Sequence, residues 1–401
     1  MPIKLGLNAP WVFGVGGFPR VCRSLALDLA DMGVEIRLLN TTPKDVPFLL
    51  KEDVGRLTGF TQQTWTPEIW LSLNPFCSFL QNVRGWNIGM SMWESPTIPS
   101  FGRMCRGVDE VWVPSIFNWN TFRSAIPVPP HKLAYMPLAV NTDIFSPSAS
   151  KIKITGGAKD YDFVYGCLCG YSARKGVDLV LAAHFELFDS IDNVALFIKG
   201  DGYGEKKLPL DIVELKTGHL VDGLNISKDE KKIVQAAVNN HNPTVLHSFD
   251  SFNDSYLASI YRSLNLFVLP SRGEGFGLPP LEAMSCEVPV IGTKATGMEE
   301  YMLEEISYPV RSNGWKADPR CDWITKFYSG VLFADPDYAQ YRDLVWYVYT
   351  HRDEAKEKGK KAREFVVDTY DTKVVISRLK RRLEEIVGGK KTTENFWPED
   401  M

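Results

Sequence analysis

The sequence predicts an α/β protein built from two Rossmann-like halves, each a doubly wound parallel sheet. Three observations carry this prediction. The chain has 401 residues, more than one small core can organise and suited to two α/β domains. It opens with strand, glycine-rich loop, helix and strand, and the same order restarts near residue 163. A third strand–loop–helix–strand unit spans roughly residues 266 to 291.

The elements follow in order. Ile3 to Leu7 is a short apolar run that reads as a buried strand. The loop Phe13-Gly14-Val15-Gly16-Gly17-Phe18-Pro19 follows, then a helical pattern with Val21, Leu25, Leu29 and Met32 on one face. Gly33 stops the helix and Val34 to Leu39 is the next strand. Trp86 to Met90 and Glu110 to Val113 read as further strands, with a proline-rich loop over 92–99 between them. Pro147 and the polar run through Lys159 mark a domain junction. In the second half Phe163 to Leu168 is a strand, 170–176 a loop, Val177 to Phe188 a helix and Ala195 to Lys199 a strand. A helix near Ser255 to Ser263 leads into strand Leu266 to Leu269. After the loop Pro270 to Leu278 a short helix starts at Pro279-Pro280, where prolines suit a first turn. Val288 to Ile291 returns to strand, Glu354 to Val387 forms two charged helices, and the last dozen residues read as mobile. The expected boundaries are 1–146, 147–372, and 373–401, the last a helix returning toward the first domain plus a mobile tail.

Composition narrows the function classes. Net charge is −4, which argues against a bulk electrostatic grip on nucleic acid or anionic membrane. The N-terminus lacks the charged and apolar regions of a signal peptide, and no run of 18 apolar residues exists to span a membrane. Seven scattered cysteines fit a reduced, cytoplasmic setting. Cys167 and Cys169 share a strand face, but no second Cys or His pair matches their spacing, so buried free thiols are expected there. Asn225-Ile226-Ser227 fits a glycosylation acceptor pattern that matters only in a secreted chain.

The run Glu274-Gly275-Phe276-Gly277-Leu278-Pro279-Pro280-Leu281-Glu282 carries the chemistry. A diol suits a carboxylate, because each hydroxyl can donate to one oxygen. A diphosphate suits backbone N–H groups at a helix start and fixed cations. Glu274 lies just past the carboxyl end of a parallel strand, where ligands bind in such sheets. The glycines permit close backbone approach. Glu282 is expected in the first helical turn, where the dipole favours its charge. A glycine loop closing a strand–helix turn, with Glu282 a surface acid, is the plain alternative.

Pro270-Ser271 with Glu274 to Met284, Pro289-Val290-Ile291, Gly297 and Glu300 resembles the signature of family-4 retaining glycosyltransferases of the GT-B fold. Arg174-Lys175-Gly176-Val177-Asp178 is similar to that family's phosphate-binding turn, and Gly200-Asp201-Gly202 to its central glycine turn. Trp93-Glu94 and Asp109-Glu110-Val111-Trp112-Val113-Pro114-Ser115 resemble first-domain motifs of one subgroup, and Gly14 to Gly17 with Arg20 its N-terminal loop. The resemblance extends to about Arg378 and implies two facing domains with a cleft between them. It implies that Glu274 contacts a donor sugar and Glu282 the ribose hydroxyls of a nucleoside-diphosphate sugar, with UDP-sugar favoured and GDP-sugar the alternative. Phe276, Gly277 and Leu278 would offer backbone groups to sugar and diphosphate. Arg174 and Lys175 would hold the diphosphate and stabilise the charge that grows as it leaves. Gly16 and Gly17 would approach the diphosphate from the first domain. The family is usually metal-independent, so no cofactor and no metal are expected; Asp335-Pro336-Asp337 reads as a polar loop. Retention would follow a front-face route without a protein nucleophile. Two departures stand out: Gly170 occupies a position where relatives carry arginine, and no histidine precedes His131. Glu94 is the candidate for acceptor positioning, with a loop acid binding backbone N–H groups as the alternative.

The acceptor stays open. To residue 150 the chain carries 12 Lys and Arg against 11 Asp and Glu. Trp65, Trp70, Phe76, Phe79 and Trp86 could stack on sugars or extruded bases, or build core. The acceptor is a glycan or small hydroxylated molecule, or a hydroxylated base in DNA served by a rim of Arg20, Arg23, Arg84, Arg103, Arg106 and Arg123. A lesser reading is an epimerase-like or non-catalytic relative.

Overall fold

The computed structural model describes every residue except 1, 15, 44–45, 47, 75–76, 82, 127, 155–159, 171, 190–191, 201–212, 215–243, 249, 319–327 and 399–401. The turn at 200–202 and the acceptor pattern at 225–227 lie largely or wholly outside the described residues. The chain forms two compact units, Met1–Ala139 with Asp368–Met401, and Val140–Val367. The first boundary precedes residue 146 because Phe145 is anchored in the second unit, its carbonyl accepting from Ser285 Oγ and Arg363. The second falls inside the helix Arg352–Tyr370.

Unit 1 has six strands, β1 Lys4–Asn8, β2 Glu35–Leu39, β3 Ile69–Leu73, β4 Trp86–Met90, β5 Glu110–Val113 and β6 Leu133–Tyr135. They pair in the order β2-β1-β3-β4-β5-β6, all parallel. Strands buried on both faces read as apolar runs, which is why β1, β4 and β5 stand out in sequence. Helix α1, Gly17–Asp31, turns a face of Cys22, Leu25, Ala26 and Leu29 to the core. The expected face was rotated: Val21 and Met32 are only half-buried. Helices α2, Lys51–Thr61, and α3, Ile116–Ala125, complete the first part.

The motif around Glu110 proves to be architecture. Asp109 accepts from Asn87 N, and Ser115 caps α3 through Asn118 N. Glu110 is fully buried and accepts from Trp86 Nε1 at 2.8 Å, Trp112 Nε1 at 3.0 Å and Arg382 Nε at 3.1 Å. Arg382 lies on the late helix Thr372–Val387, which packs on α1. The loose tail expected after it is corrected: Thr393 and Phe396 are buried, Thr393 bonds His131 O and Leu133 O, and Arg378, Arg381 and Arg382 surround the Phe396 ring. Of the aromatic stretch, Phe79 is buried, Trp65, Trp70 and Trp86 are half-buried, and Phe76 lies outside the described residues. Phe79 is buried against Gly89, Trp70 donates to Arg84 O and Trp86 to Glu110. Arg23 is buried on the carbonyls of Val12 and Gly14, so it belongs to no exposed basic rim.

Unit 2 has β7 Phe163–Leu168, β8 Val194–Lys199, β9 Val213–Glu214, β10 Thr244–Ser248, β11 Leu266–Leu269, β12 Val290–Thr293 and β13 Tyr308–Val310. Their order is β13-β12-β11-β7-β8-β10-β9, parallel except for β9. Strand β12 starts two residues later than expected because Glu287, at φ 60, first turns the chain. The pair β14 Ser312–Ala317 and β15 Leu332–Pro336 is antiparallel. The helices are α4 Val177–Leu187, α5 Asp254–Ser263, α6 Leu278–Ser285, α7 Tyr338–Thr350, α8 Arg352–Tyr370 and, back in unit 1, α9 Thr372–Val387. Chain order reverses between β7 and β11, which places the loops after these two strands side by side. No helix among the described residues is long and apolar enough to cross a membrane.

Candidate functional site

At the β7/β11 reversal the 3-10 turn Ala173–Lys175 faces the loop 270–277. Gly176 makes the approach feasible. Its φ is +74, and a Cβ there would sit 2.1 Å from Pro270 O, a position only glycine can hold. Arg272 N donates to Arg174 O at 2.7 Å. The two segments are further tied by Arg272 and Asp178, each side chain 3% exposed. Their two bonds are 2.8 and 2.7 Å, the bidentate geometry in which a buried pair is well satisfied.

On this frame Lys175 Nζ donates to both oxygens of Glu274, at 2.7 and 2.8 Å. Arg174 Nη1 lies 3.9 Å from Glu274 Oε1 and donates to Gly273 O. Ser271 Oγ donates to Glu274 Oε1 at 2.9 Å. Burial alone would raise the Glu274 pKa. The charges of Lys175 and Arg174, with the bonds from Lys175 and Ser271, outweigh it and hold the carboxyl below its ordinary value. The backbone of Glu274 is also engaged: its N–H donates to Thr296 Oγ1 and its carbonyl accepts from Gly297 N.

The neighbouring loop is fixed from below. Gly277 has φ +89, and a Cβ there would meet Tyr301 Oη at 2.3 Å. The Tyr301 hydroxyl lies 2.8 Å from Phe276 O and 2.7 Å from Gly277 O. Burial, with Glu274 and Glu300 nearby, raises its pKa, so it stays a protonated donor. With these carbonyls drawn to Tyr301, the backbone N–H groups at the start of α6 are what the loop offers a ligand. Pro279 and Pro280 have none, which leaves Leu278, half-buried, as the first-turn donor.

Glu282 departs from expectation. It is the fifth residue of α6, outside the first turn, and 2% exposed. Its carboxyl accepts from the Tyr261 hydroxyl at 2.9 Å. Gly16, Gly17 and Glu94 lie in unit 1. Gly16 precedes α1 with φ +106, and the space where a Cβ would stand at Gly16 or Gly17 is open. Glu94 is half-buried in the loop after β4, beside the buried Trp93.

Other singled-out residues have structural roles. His247 is buried, which pushes its pKa down to about 4. Asp335 pairs with Lys316 and Asp337 with Arg311. Cys167 and Cys169 are buried free thiols. Among the described residues no cluster of three or more His, Cys, Asp or Glu is arranged to hold a metal. Arg272, Thr296 and Tyr301 carry much of the geometry without standing out in the sequence; Arg272 alone has a signal there, a charged residue in the loop between an apolar strand and an apolar helix.

Comparison with known proteins bears on this arrangement. The profile described as "Glycosyl transferases group 1" matches residues 155–365, more than half of the chain. The chain belongs to that family. A D-inositol 3-phosphate glycosyltransferase of Segniliparus rotundus is 24% identical over 181 residues, covering 44% of this chain and 35% of that protein. The chain thus spans about a third of the length of the first curated relatives it matches. Among solved structures, sucrose-phosphate synthase from Thermosynechococcus elongatus superposes with a TM-score of 0.66 at 14% identity, over 96% of this chain and 99% of that one. Anabaena HepE in complex with UDP and glucose gives 0.62 at 12% identity, over 96% and 100%. These likenesses make the fold of this glycosyl transferase family member GT-B.

Proposed function

We propose that the chain transfers a hexose-type sugar from a nucleoside-diphosphate sugar to a hydroxyl of a glycan or small acceptor, retaining the anomeric configuration and using no metal. The observation that carries this reading is the Arg174–Lys175–Glu274 cluster at the strand-order reversal. An ammonium has three donors. Two of Lys175's serve Glu274, leaving the third for a diphosphate oxygen. In the step itself the bond from the sugar's anomeric carbon to the β-phosphate oxygen breaks, and its electron pair goes to that oxygen. The acceptor oxygen bonds the same face of the sugar, and its proton passes to the departing phosphate. Arg174 and Lys175 offset the charge that develops, the kind of preset stabilisation that dominates many enzymatic rate gains. Glu274 contacts the sugar and Glu282 the ribose diol. Gly16 and Gly17 keep the diphosphate-facing role, and Glu94 the acceptor-positioning role, that the resemblance gives them.

UDP-sugar is favoured because HepE was crystallised with UDP and with UDP-glucose; GDP-sugar is the alternative. A thermal-shift screen with UDP-glucose and GDP-mannose tests the reading, since a ligand of the folded state raises its stability. Glu282→Ala should weaken nucleotide binding, whereas Lys175→Ala should mainly slow turnover. Unchanged kinetics in both variants would remove the site assignment.

A further inference from the structure

Asn40, Cys77, Glu287 and Thr296 are the described non-glycine residues with positive φ. Asparagine tolerates that region. Thr296, at φ 56, is the β-branched member, for which the conformation is a genuine outlier. Strain of this kind persists only where the surroundings impose it, and it gathers at functional sites.

What imposes it is visible. The Thr296 hydroxyl donates to Ala295 O at 2.7 Å and accepts from Glu274 N at 3.0 Å, so both its donor and one acceptor site are committed. The next residue closes the clasp. Gly297 N donates to Glu274 O at 2.9 Å, and a Cβ on Gly297 would lie 2.3 Å from Gly275 O. The peptide groups on both sides of Glu274 are thereby held by consecutive residues of one turn. A glycine at 296 would accept the backbone angle freely but would leave Glu274 N without this acceptor. The γ-methyl of threonine restricts χ1 and so fixes where the hydroxyl points.

We propose that Thr296 is a positioning residue: its hydroxyl fixes the backbone of Glu274, and through Glu274 the Lys175 ammonium, at the cost of a strained turn. The assignment rests on the donor reading given under Proposed function. It turns the strain into a measurable opposition between stability and rate.

The test uses the full chain with Thr296→Ser, Thr296→Val and Thr296→Gly. Release of UDP from UDP-glucose and of GDP from GDP-mannose by transfer to water gives kcat and donor KM; thermal unfolding gives Tm. Val keeps the strain and loses the hydroxyl, whereas Gly loses both, so Gly folds even where Val does not. Both should lower kcat about tenfold or more, since small misplacements of catalytic groups are costly, with donor KM within about threefold. Ser keeps the hydroxyl without the methyl. It should hold kcat near the parent value and raise Tm by about 2–4 °C as strain is relieved. Parent-level kcat in the Gly variant overturns the proposal, as does a Ser variant as slow as Val. A parent chain that neither binds nor cleaves either donor overturns the donor reading, and the positioning role with it; that failure shows before any variant is made.

Discussion

Lys175→Ala is the most informative single change. Lys175 Nζ lies 2.7 Å from a carboxylate whose side chain is 7% exposed. At an effective dielectric near 20 the gross attraction is about 6 kcal/mol, much of it offset by desolvation of the two charges. Removing one partner of a buried pair typically costs about 3–5 kcal/mol. Arg174 at 3.9 Å and Ser271 at 2.9 Å remain beside Glu274, so the low end, about 3 kcal/mol, is expected. For a unit of this size that corresponds to a fall in Tm of about 6–12 °C. Turnover should fall about a hundredfold, as for loss of one donor to a developing oxyanion. The double variant Lys175→Ala/Glu274→Gln separates the two effects. With the Glu274 charge removed together with its lysine, and Arg174 still donating to Gly273 O, it should regain most of the stability and none of the turnover. Differential scanning fluorimetry and nucleotide-release kinetics read both. A single variant within about 1 °C of the parent Tm would refute the claim that the pair holds the loop.

Three further outcomes follow from the geometry. Arg382→Leu leaves Glu110 buried with only two indole donors, so urea unfolding of unit 1 should lose about 3–5 kcal/mol; a loss under about 1 kcal/mol contradicts the pairing. Gly176→Ala places a methyl 2.1 Å from Pro270 O at φ +74, and should cost at least about 1–3 kcal/mol together with donor affinity, measured by calorimetric titration with UDP-glucose. His184 is fully buried, and its pKa is pushed down from 6.5 to about 3. The folded state therefore binds fewer protons than the unfolded one. The resulting stability is complete above pH 6.5 and is lost as pH falls toward 3, with a slope of up to about 1.4 kcal/mol per pH unit. His184→Gln should flatten the pH dependence of Tm in that window, and an unchanged slope would assign it to other groups.

The sequence made the parallel strands visible where burial on both faces leaves an uninterrupted apolar run. Phe163–Leu168 and Leu266–Leu269 are found within the residue. Ile69–Leu73 does not stand out as a strand in the sequence, because Ser72 interrupts its apolar run and Pro67 and Pro75 crowd both ends. The residue types of the site were legible in Arg174, Lys175, Glu274 and Glu282. Their mutual arrangement was not. Lys175 meets Glu274, and Asp178 meets Arg272, across more than 90 residues of chain, and only strand adjacency in the folded sheet determines such pairings. Glu282 shows the opposite limit. Its place in a helix is readable, but a start one residue earlier than expected moves it past the first turn, where it accepts from the Tyr261 hydroxyl instead of facing the helix dipole.

The return of α9 to the first unit has a consequence for synthesis. Glu110 emerges from the ribosome more than 250 residues before Arg382, its charged partner. Until then a carboxylate destined for full burial has only indole N–H groups to meet it, while every residue of Val140–Val367 is already available to form the second unit. The unit that begins first is therefore completed last, and premature termination near residue 370 would damage the amino-terminal half of the molecule rather than the half nearest the break.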